Sequence, residues 1–421
     1  MLGKLLVKKV SLVLLSDVLI KVIGYMLLPY FLNKMAVSEF GEFGFVFSVI
    51  SLIAPLFTLG LYIPQIREFT ETKVATEKKE IYSSTLLSTL LFCLVVGLIT
   101  LIIPFFSKAV IFALQLSGNA YLKLGLVCVL ASLTSLNLIN LSHSISLNNP
   151  RALLYFNWSR FLFNSFFAIA LLNFDSLSND NVLNRLSGLI IGEFLLFCLI
   201  VFRNSSFLGF KHFNKNYIKL ALISGLQIMP STILLFTFSY FERFNLSTLV
   251  GKFALANYML AIQLTAPIPM IMATIQSVWS PVFYQINTVN ETLKKAKQMG
   301  LILAGVFLIL SLGIGVLLKF SLLLDIIPSS YNEVSVLVII LALGVSVSSL
   351  IQVVNNVLIK YDLERFVTYN YFLSLLVFLA VSPFLVRIYG VTGMAYSNVV
   401  YGIVLLILGT IFIYSKVRSD I

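Results

Sequence analysis

Charge is scarce in this chain: Asp, Glu, Lys and Arg make up 11% of 421 residues, whereas a soluble domain carries about 25%. That scarcity excludes a separate soluble catalytic or nucleic-acid-binding module, because no polar stretch is long enough to form one. Cys93, Cys128 and Cys198 fall inside apolar runs, without the spacing of a disulfide framework or a zinc site. The two histidines, His143 and His212, stand far apart near the ends of apolar runs, so neither a histidine metal centre nor a histidine acid/base pair is expected. The chain has no Gly-x4-Gly-Lys-Ser/Thr loop, no Gly-x-Ser-x-Gly elbow and no His-Glu-x2-His helix, which argues against direct ATP drive and the common hydrolase sites. No metal, cofactor or nucleic-acid partner is expected, and the chain is not read as an enzyme.

Apolar sequence is what remains. Hydrophobic residues make up 59%, gathered into runs of about 20 residues, the length that crosses a bilayer. The expected fold is an all-α integral membrane protein with about 12 transmembrane helices. Hydropathy places the first six at 10–32, 41–64, 81–106, 121–141, 152–174 and 186–202. The other six fall at 218–241, 253–275, 300–318, 334–354, 369–386 and 391–414, with an amphipathic piece at 276–298. Lys4, Lys8 and Lys9 give the start a signal-peptide look, but the following run is too long and lacks a small-residue cleavage site, so it reads as a retained first span. Segments on the N-terminal side of the membrane carry more than twice the Lys and Arg of the opposite side, which sets both termini in the cytoplasm. The net charge of +12 follows from that bias.

An internal repeat is expected. Gly24-x4-Pro29 recurs as Gly225-x4-Pro230, Gly41-Glu42-Phe43 recurs as Gly251-Lys252-Phe253, and Pro55 and Pro267 then fall in the following spans. Six spans return the chain to its starting side, so the halves, residues 1–210 and 211–421, are expected to be six-helix bundles related by a pseudo-twofold axis along the membrane normal.

Ionisable residues inside spans are costly and face protein or a water-filled cavity. Asp17 and Lys21, at i and i+4, share a helix face. They form either an internal salt bridge or a cavity cation beside a proton-exchanging acid. Asn157, Arg160 and Asn164 make a polar stripe, with Arg160 either binding phosphate through its planar fork or snorkelling to the interface. Glu193 either balances Arg160 or Lys21, or binds a coupling H⁺ or Na⁺. Gln227, Asn257 and Lys252 add polar groups in the second half. The deep ionisable groups all belong to the first half, which is expected to hold the charged part of a substrate.

Several stretches carry a family likeness: Lys21 with Gly24 and Pro29, Glu39-Phe40-Gly41-Glu42-Phe43-Gly44, Leu59-Gly60-Leu61 with Arg67, Phe241-Glu242-Arg243-Phe244, and Tyr389-Gly390-Val391-Thr392-Gly393-Met394-Ala395. Together they resemble the Wzx-type polysaccharide flippases of the multidrug/oligosaccharidyl-lipid/polysaccharide exporter superfamily. The resemblance implies translocation of undecaprenyl-diphosphate-linked oligosaccharide (O-antigen or a similar repeat unit) across the bacterial inner membrane by alternating access. It also implies lipid as surroundings, H⁺ or Na⁺ as coupling ion, and a polysaccharide polymerase and chain-length regulator as pathway partners. Lys21 falls on the cation expected in the cavity. The second span has no basic residue, unlike the lipid II flippase branch, and Asp17 is similar to the first-span acid of the multidrug exporters, so a cation exporter is the alternative.

Overall fold

A bilayer offers no water to the backbone, so a chain this apolar must satisfy its amides within helices. The computed structural model describes residues 2–114, 116, 119–147, 149–173, 180–284, 286, 288–324, 326–328, 331, 334–361 and 363–417. Its helices are α1 (Leu2–Lys34), α2 (Val37–Phe57), α3 (Tyr62–Glu71), α4 (Ala75–Ile102), α5 (Pro104–Leu114), α6 (Ala120–Ser146), α7 (Pro150–Asn173) and α8 (Asn181–Arg203). The chain continues with α9 (Lys215–Leu249), α10 (Lys252–Thr265), α11 (Pro267–Tyr284), α12 (Val289–Leu323), α13 (Val334–Lys360), α14 (Glu364–Tyr389) and α15 (Val391–Phe412).

Among the described residues nine helical stretches are long and apolar enough to cross a membrane, α10 and the start of α11 counting as one. Helices α1, α7 and α9, with 33, 24 and 35 residues, are also long enough at about 1.5 Å per residue. With the nine they make the expected twelve. On α12, Leu301, Ile302, Ile309 and Leu317 are 65%, 63%, 71% and 68% exposed, a surface suited to lipid rather than water. The chain is a multi-pass membrane protein.

The fold has two compact units. The first comprises Met1–Met35 and Glu42–Pro230, the second Ala36–Gly41 and Ser231–Ile421. In the first unit α7 and α8 form the closest pair because α8 presents Gly188-x3-Gly192. A Cβ at Gly188 would meet the Phe167 carbonyl oxygen at 2.6 Å, and one at Gly192 would meet the Asn164 Cα at 2.9 Å. Such small-residue stripes let membrane helices touch backbone to backbone. Gly192→Val is therefore expected to part the two helices and lower stability by about 1–3 kcal/mol, read as a fall in melting temperature of the purified protein.

The second span ends earlier than hydropathy indicated. Leu59 and Gly60 adopt φ of 53° and 71°, the left-handed region that breaks a helix, so α2 stops at Phe57 and α3 forms a separate amphipathic helix. Gly60 is also required by space, since its Cβ would meet the Gly225 carbonyl oxygen at 2.7 Å. Phe69 of α3 then meets His143 edge-on at 4.9 Å, while Tyr82 stacks on that imidazole at 4.1 Å. Both histidine nitrogens are buried without a hydrogen bond. The imidazole thus packs between aromatic rings.

The second unit is built around α13, with Phe283, Phe307, Leu303 and Val357 in its core. Lys360 closes α13 by donating to the carbonyls of Phe283 and Ile286, at 3.0 and 2.6 Å, and to Thr292 Oγ1 at 3.1 Å. It thus caps the end of α11. The expected amphipathic piece at 276–298 is divided between the end of α11 and the start of α12. The repeated glycines do different work: Gly251 precedes α10 with φ of 111°, whereas Gly41 lies inside α2 and its Cβ would meet the Lys252 carbonyl oxygen at 2.4 Å.

Candidate functional site

Helices α6, α7 and α8 of the first unit converge on Glu193. The glycine stripe on α8 brings α7 near enough for two of its side chains to reach that carboxylate: Arg160 Nε and Asn164 Nδ2 each donate to Oε1 at 2.8 Å. From α6, Asn137 Nδ2 donates to Oε2 at 2.6 Å and to the Glu193 backbone carbonyl at 2.9 Å. The chain of bonds continues outward. Asn140 Nδ2 donates to Asn137 Oδ1 at 3.4 Å, and the Tyr82 hydroxyl of α4 donates to Asn140 Oδ1 at 2.7 Å. A buried carboxylate needs such compensation.

Arg160 is held on one side only. Its side chain is 33% exposed against 4% for Glu193, and among the described residues only its Nε is hydrogen-bonded. The two terminal nitrogens, the fork suited to phosphate or carboxylate, are left for a ligand or water. Glu193 balances the cation while the fork stays available.

Lys21 is exposed on α1. The helix docks on α7 through Ser16, whose Oγ accepts from Trp158 Nε1 at 2.8 Å, and through Tyr30, whose hydroxyl donates to Asn173 Oδ1 at 2.9 Å. A second stripe, Leu15, Leu19, Val22 and Met26, is exposed and wholly apolar. At about 100° per residue, Lys21 lies on neither of these. It shares a face with Leu28 and Leu32, which are buried.

Other expected site residues fare differently. The side chains of Asp17 and Gln227 lie outside the described residues, as does that of Arg67. Asn157 is half-buried and engaged, Lys252 is half-buried at the start of α10, and Asn257 is fully buried in that helix. Arg160, Asn164 and Glu193 are brought together as the stripe and the deep acid suggested; Glu193 pairs with Arg160, not Lys21.

Three buried charge sites were not anticipated. Lys123 Nζ lies 2.8 Å from both Glu42 Oε1 and Asp180 Oδ2, with the lysine side chain only 2% exposed. Asp180 also caps α8, its Oδ1 accepting from the Val182 and Leu183 amides at 3.0 and 3.2 Å. The Arg185 guanidinium sits over the rings of Phe31 and Phe43, at 4.0 and 3.8 Å, a cation–π sandwich. In the second unit Glu242 is 3% exposed, accepting from the Tyr258 hydroxyl and from Asn398 Nδ2 at 2.8 Å. Deep charge is therefore not confined to the first half. All these residues fall within a turn or two of apolar-run ends, where hydropathy alone reads them as interfacial; Gly188-x3-Gly192 was the one legible signal that α7 and α8 close tightly.

Three solved structures share this architecture. An inward-facing multidrug resistance MATE family transporter of the MOP superfamily is 14% identical, with 93% of this chain and 94% of that one covered and a TM-score of 0.67. The lipid II flippase MurJ in an inward closed conformation is 12% identical, with 96% and 87% covered and a TM-score of 0.71. The MATE multidrug transporter DinF-BH is 14% identical, with 97% and 93% covered and a TM-score of 0.61. At these identities the likeness is one of fold, two bundles of six helices as expected. No curated protein matches the chain in sequence. The model of a family described as "Polysaccharide biosynthesis protein" matches residues 6–287, which takes in Lys21, Lys123, Arg160, Glu193 and Glu242. The match covers more than half of the chain and all the charges just described, and it shows that this membrane protein belongs to the polysaccharide biosynthesis protein family.

Proposed function

We propose that the chain is a flippase carrying undecaprenyl-diphosphate-linked oligosaccharide from the cytoplasmic to the periplasmic leaflet of the bacterial inner membrane. Both termini are cytoplasmic, access alternates between leaflets, and an H⁺ or Na⁺ gradient drives the cycle. The observation that carries this reading is Arg160: a guanidinium anchored through Nε by Glu193, with its terminal nitrogens unengaged by described residues. Diphosphate is bound best by such forks. Exposed Lys21 supplies a second cation, Asn157 and Asn164 flank Arg160, and Gln227, Asn257 and Lys252 serve the uncharged part or its positioning. Asp17 and Glu193 balance charge or take the coupling ion. Family membership supports a glycan-pathway substrate, with a polymerase and chain-length regulator acting downstream.

Vesicles loaded with a fluorescent lipid-linked oligosaccharide should show leaflet exchange dependent on the protein. Lys21→Ala should slow it about tenfold, the worth of one charge-assisted hydrogen bond, while Lys21→Arg retains part of the rate. Equal rates for wild type and Lys21→Ala would reject a substrate role for that cation. A second reading, export of organic cations, is supported by the fold shared with MATE transporters. Efflux of a cationic dye without lipid translocation would favour it.

A further inference from the structure

The second unit forms a half-open cavity of about 530 Å³ between α9, α11, α13, α14 and α15, within the range of small-molecule sites. Among the described residues its lining includes no Asp, Glu, Lys or Arg. One wall is aromatic: Phe238 and Tyr401 stack at 3.9 Å with planes 13° apart. The polar groups are all neutral. Among the described residues the Ser239 and Ser349 hydroxyls and the Gln352 amide, which line the cavity, make no hydrogen bond. The Tyr371 oxygen accepts from Asn355 Nδ2 at 3.2 Å, which leaves its own proton to donate.

Ser349 is 9% exposed, and an uncommitted hydroxyl that buried is costly unless water or ligand meets it, while Ser239 is half-buried and Gln352 exposed. Together they offer hydroxyl and amide donors and acceptors beside the Phe238–Tyr401 pair, groups that suit a sugar's hydroxyls and its C–H surface. A carboxylate entering the cavity would lose part of its hydration and meet no cation among the described lining residues. The nearest ions offset one another: Glu242 lies one turn beyond Phe238, and its neighbour Arg243 donates through Nη1 to the Ser239 carbonyl at 2.6 Å. An acid and a base thus stand side by side on α9, and neither is among the described lining residues. We infer that this cavity is a subsite for an uncharged, hydroxyl-rich sugar residue of the lipid-linked oligosaccharide and that it discriminates against uronic acids. This rests on the flippase reading above and adds to it a location and a selectivity for the glycan.

The test measures calorimetric binding of three soluble short-chain probes to the full-length protein in nanodiscs. They are a bare prenyl diphosphate, the same lipid bearing a neutral N-acetylhexosamine disaccharide, and the same lipid whose disaccharide ends in a uronic acid. The neutral glycan should bind about tenfold tighter than the bare diphosphate, and the uronic acid should lose that gain. Gln352→Ala and Ser349→Ala, both small changes, should each weaken the neutral glycan three- to tenfold and leave the bare diphosphate unchanged. Equal binding of bare and neutral-glycan probes to wild type would overturn the subsite while leaving the flippase reading intact. So would displacement of the glycan by a cationic dye in wild type but not in Gln352→Ala. Failure of the bare diphosphate to bind at all would instead overturn the flippase reading.

Discussion

Glu193→Ala should abolish transport and lower stability by about 2–4 kcal/mol, the upper part of the range for a broken buried pair being discounted because Arg160 is a third exposed. Three donors, on Arg160, Asn164 and Asn137, converge on this carboxylate. Removing it leaves the asparagine donors without their acceptor and Arg160, a third exposed, to turn toward water. The substitution also frees Arg160 from the one group that aims it. Arg160→Met provides the contrast, because Glu193 then keeps both asparagine donors. It should stop transport with a smaller loss of stability. Thermal unfolding in detergent, read beside the vesicle assay, gives both quantities for each variant. Equal melting temperatures for Glu193→Ala and wild type would refute the convergence of α6, α7 and α8 on this residue.

Lys123→Met is expected to be more damaging to folding, with a loss of about 3–5 kcal/mol, and to leave little protein in the membrane. The lysine lies between two carboxylates at 2.8 Å each, so its removal sets Glu42, 6% exposed, and Asp180, 25% exposed, against each other with no cation between them. The effect is one of uncompensated charge, which a second set of substitutions can expose. Adding Glu42→Gln and Asp180→Asn to Lys123→Met removes the repulsion while preserving shape and the cap on α8, since the Asn carbonyl still accepts from Val182 and Leu183. The triple variant should recover most of the lost stability. A triple variant as unstable as Lys123→Met would mean that the lysine acts through its packing and not its charge.

The number and order of the spans were legible because the bilayer imposes a length on every apolar run, and α1, α4, α6 and α12 to α15 fall where hydropathy put them. The break after α2 was not, because it depends on two left-handed residues, Leu59 and Gly60, pressed against Gly225 from a distant helix. In the site, Arg160, Asn164 and Glu193 could be found from sequence because each is a polar residue in mid-span, which a membrane tolerates only with partners. Lys123, Glu42 and Glu242 were hidden by their places near run ends. There a charge that reaches water and one that is sealed under neighbouring helices look alike in one dimension. Asn137 and Asn140 were lost among neutral polar residues of a serine- and asparagine-rich span, where only the third dimension reveals which of them meet a charge.

Asp180 and Glu193 both belong to the α8 segment, one at its cap and the other in its interior, about 20 Å apart along the axis. Each is fastened to a different neighbour by an ionic contact. A rod pinned at two points along its length can neither slide nor turn about its axis without breaking one pin. The α6, α7 and α8 group therefore works as a mechanical frame. Helix α1 is tied to that frame by hydrogen bonds at Ser16 and Tyr30 and, near its end, by the Arg185 guanidinium over Phe31 and the Asn181 amide on the Lys34 carbonyl. Under the alternating access proposed above, α6, α7 and α8 would move as one body, with α1 fastened to it on both sides of Lys21.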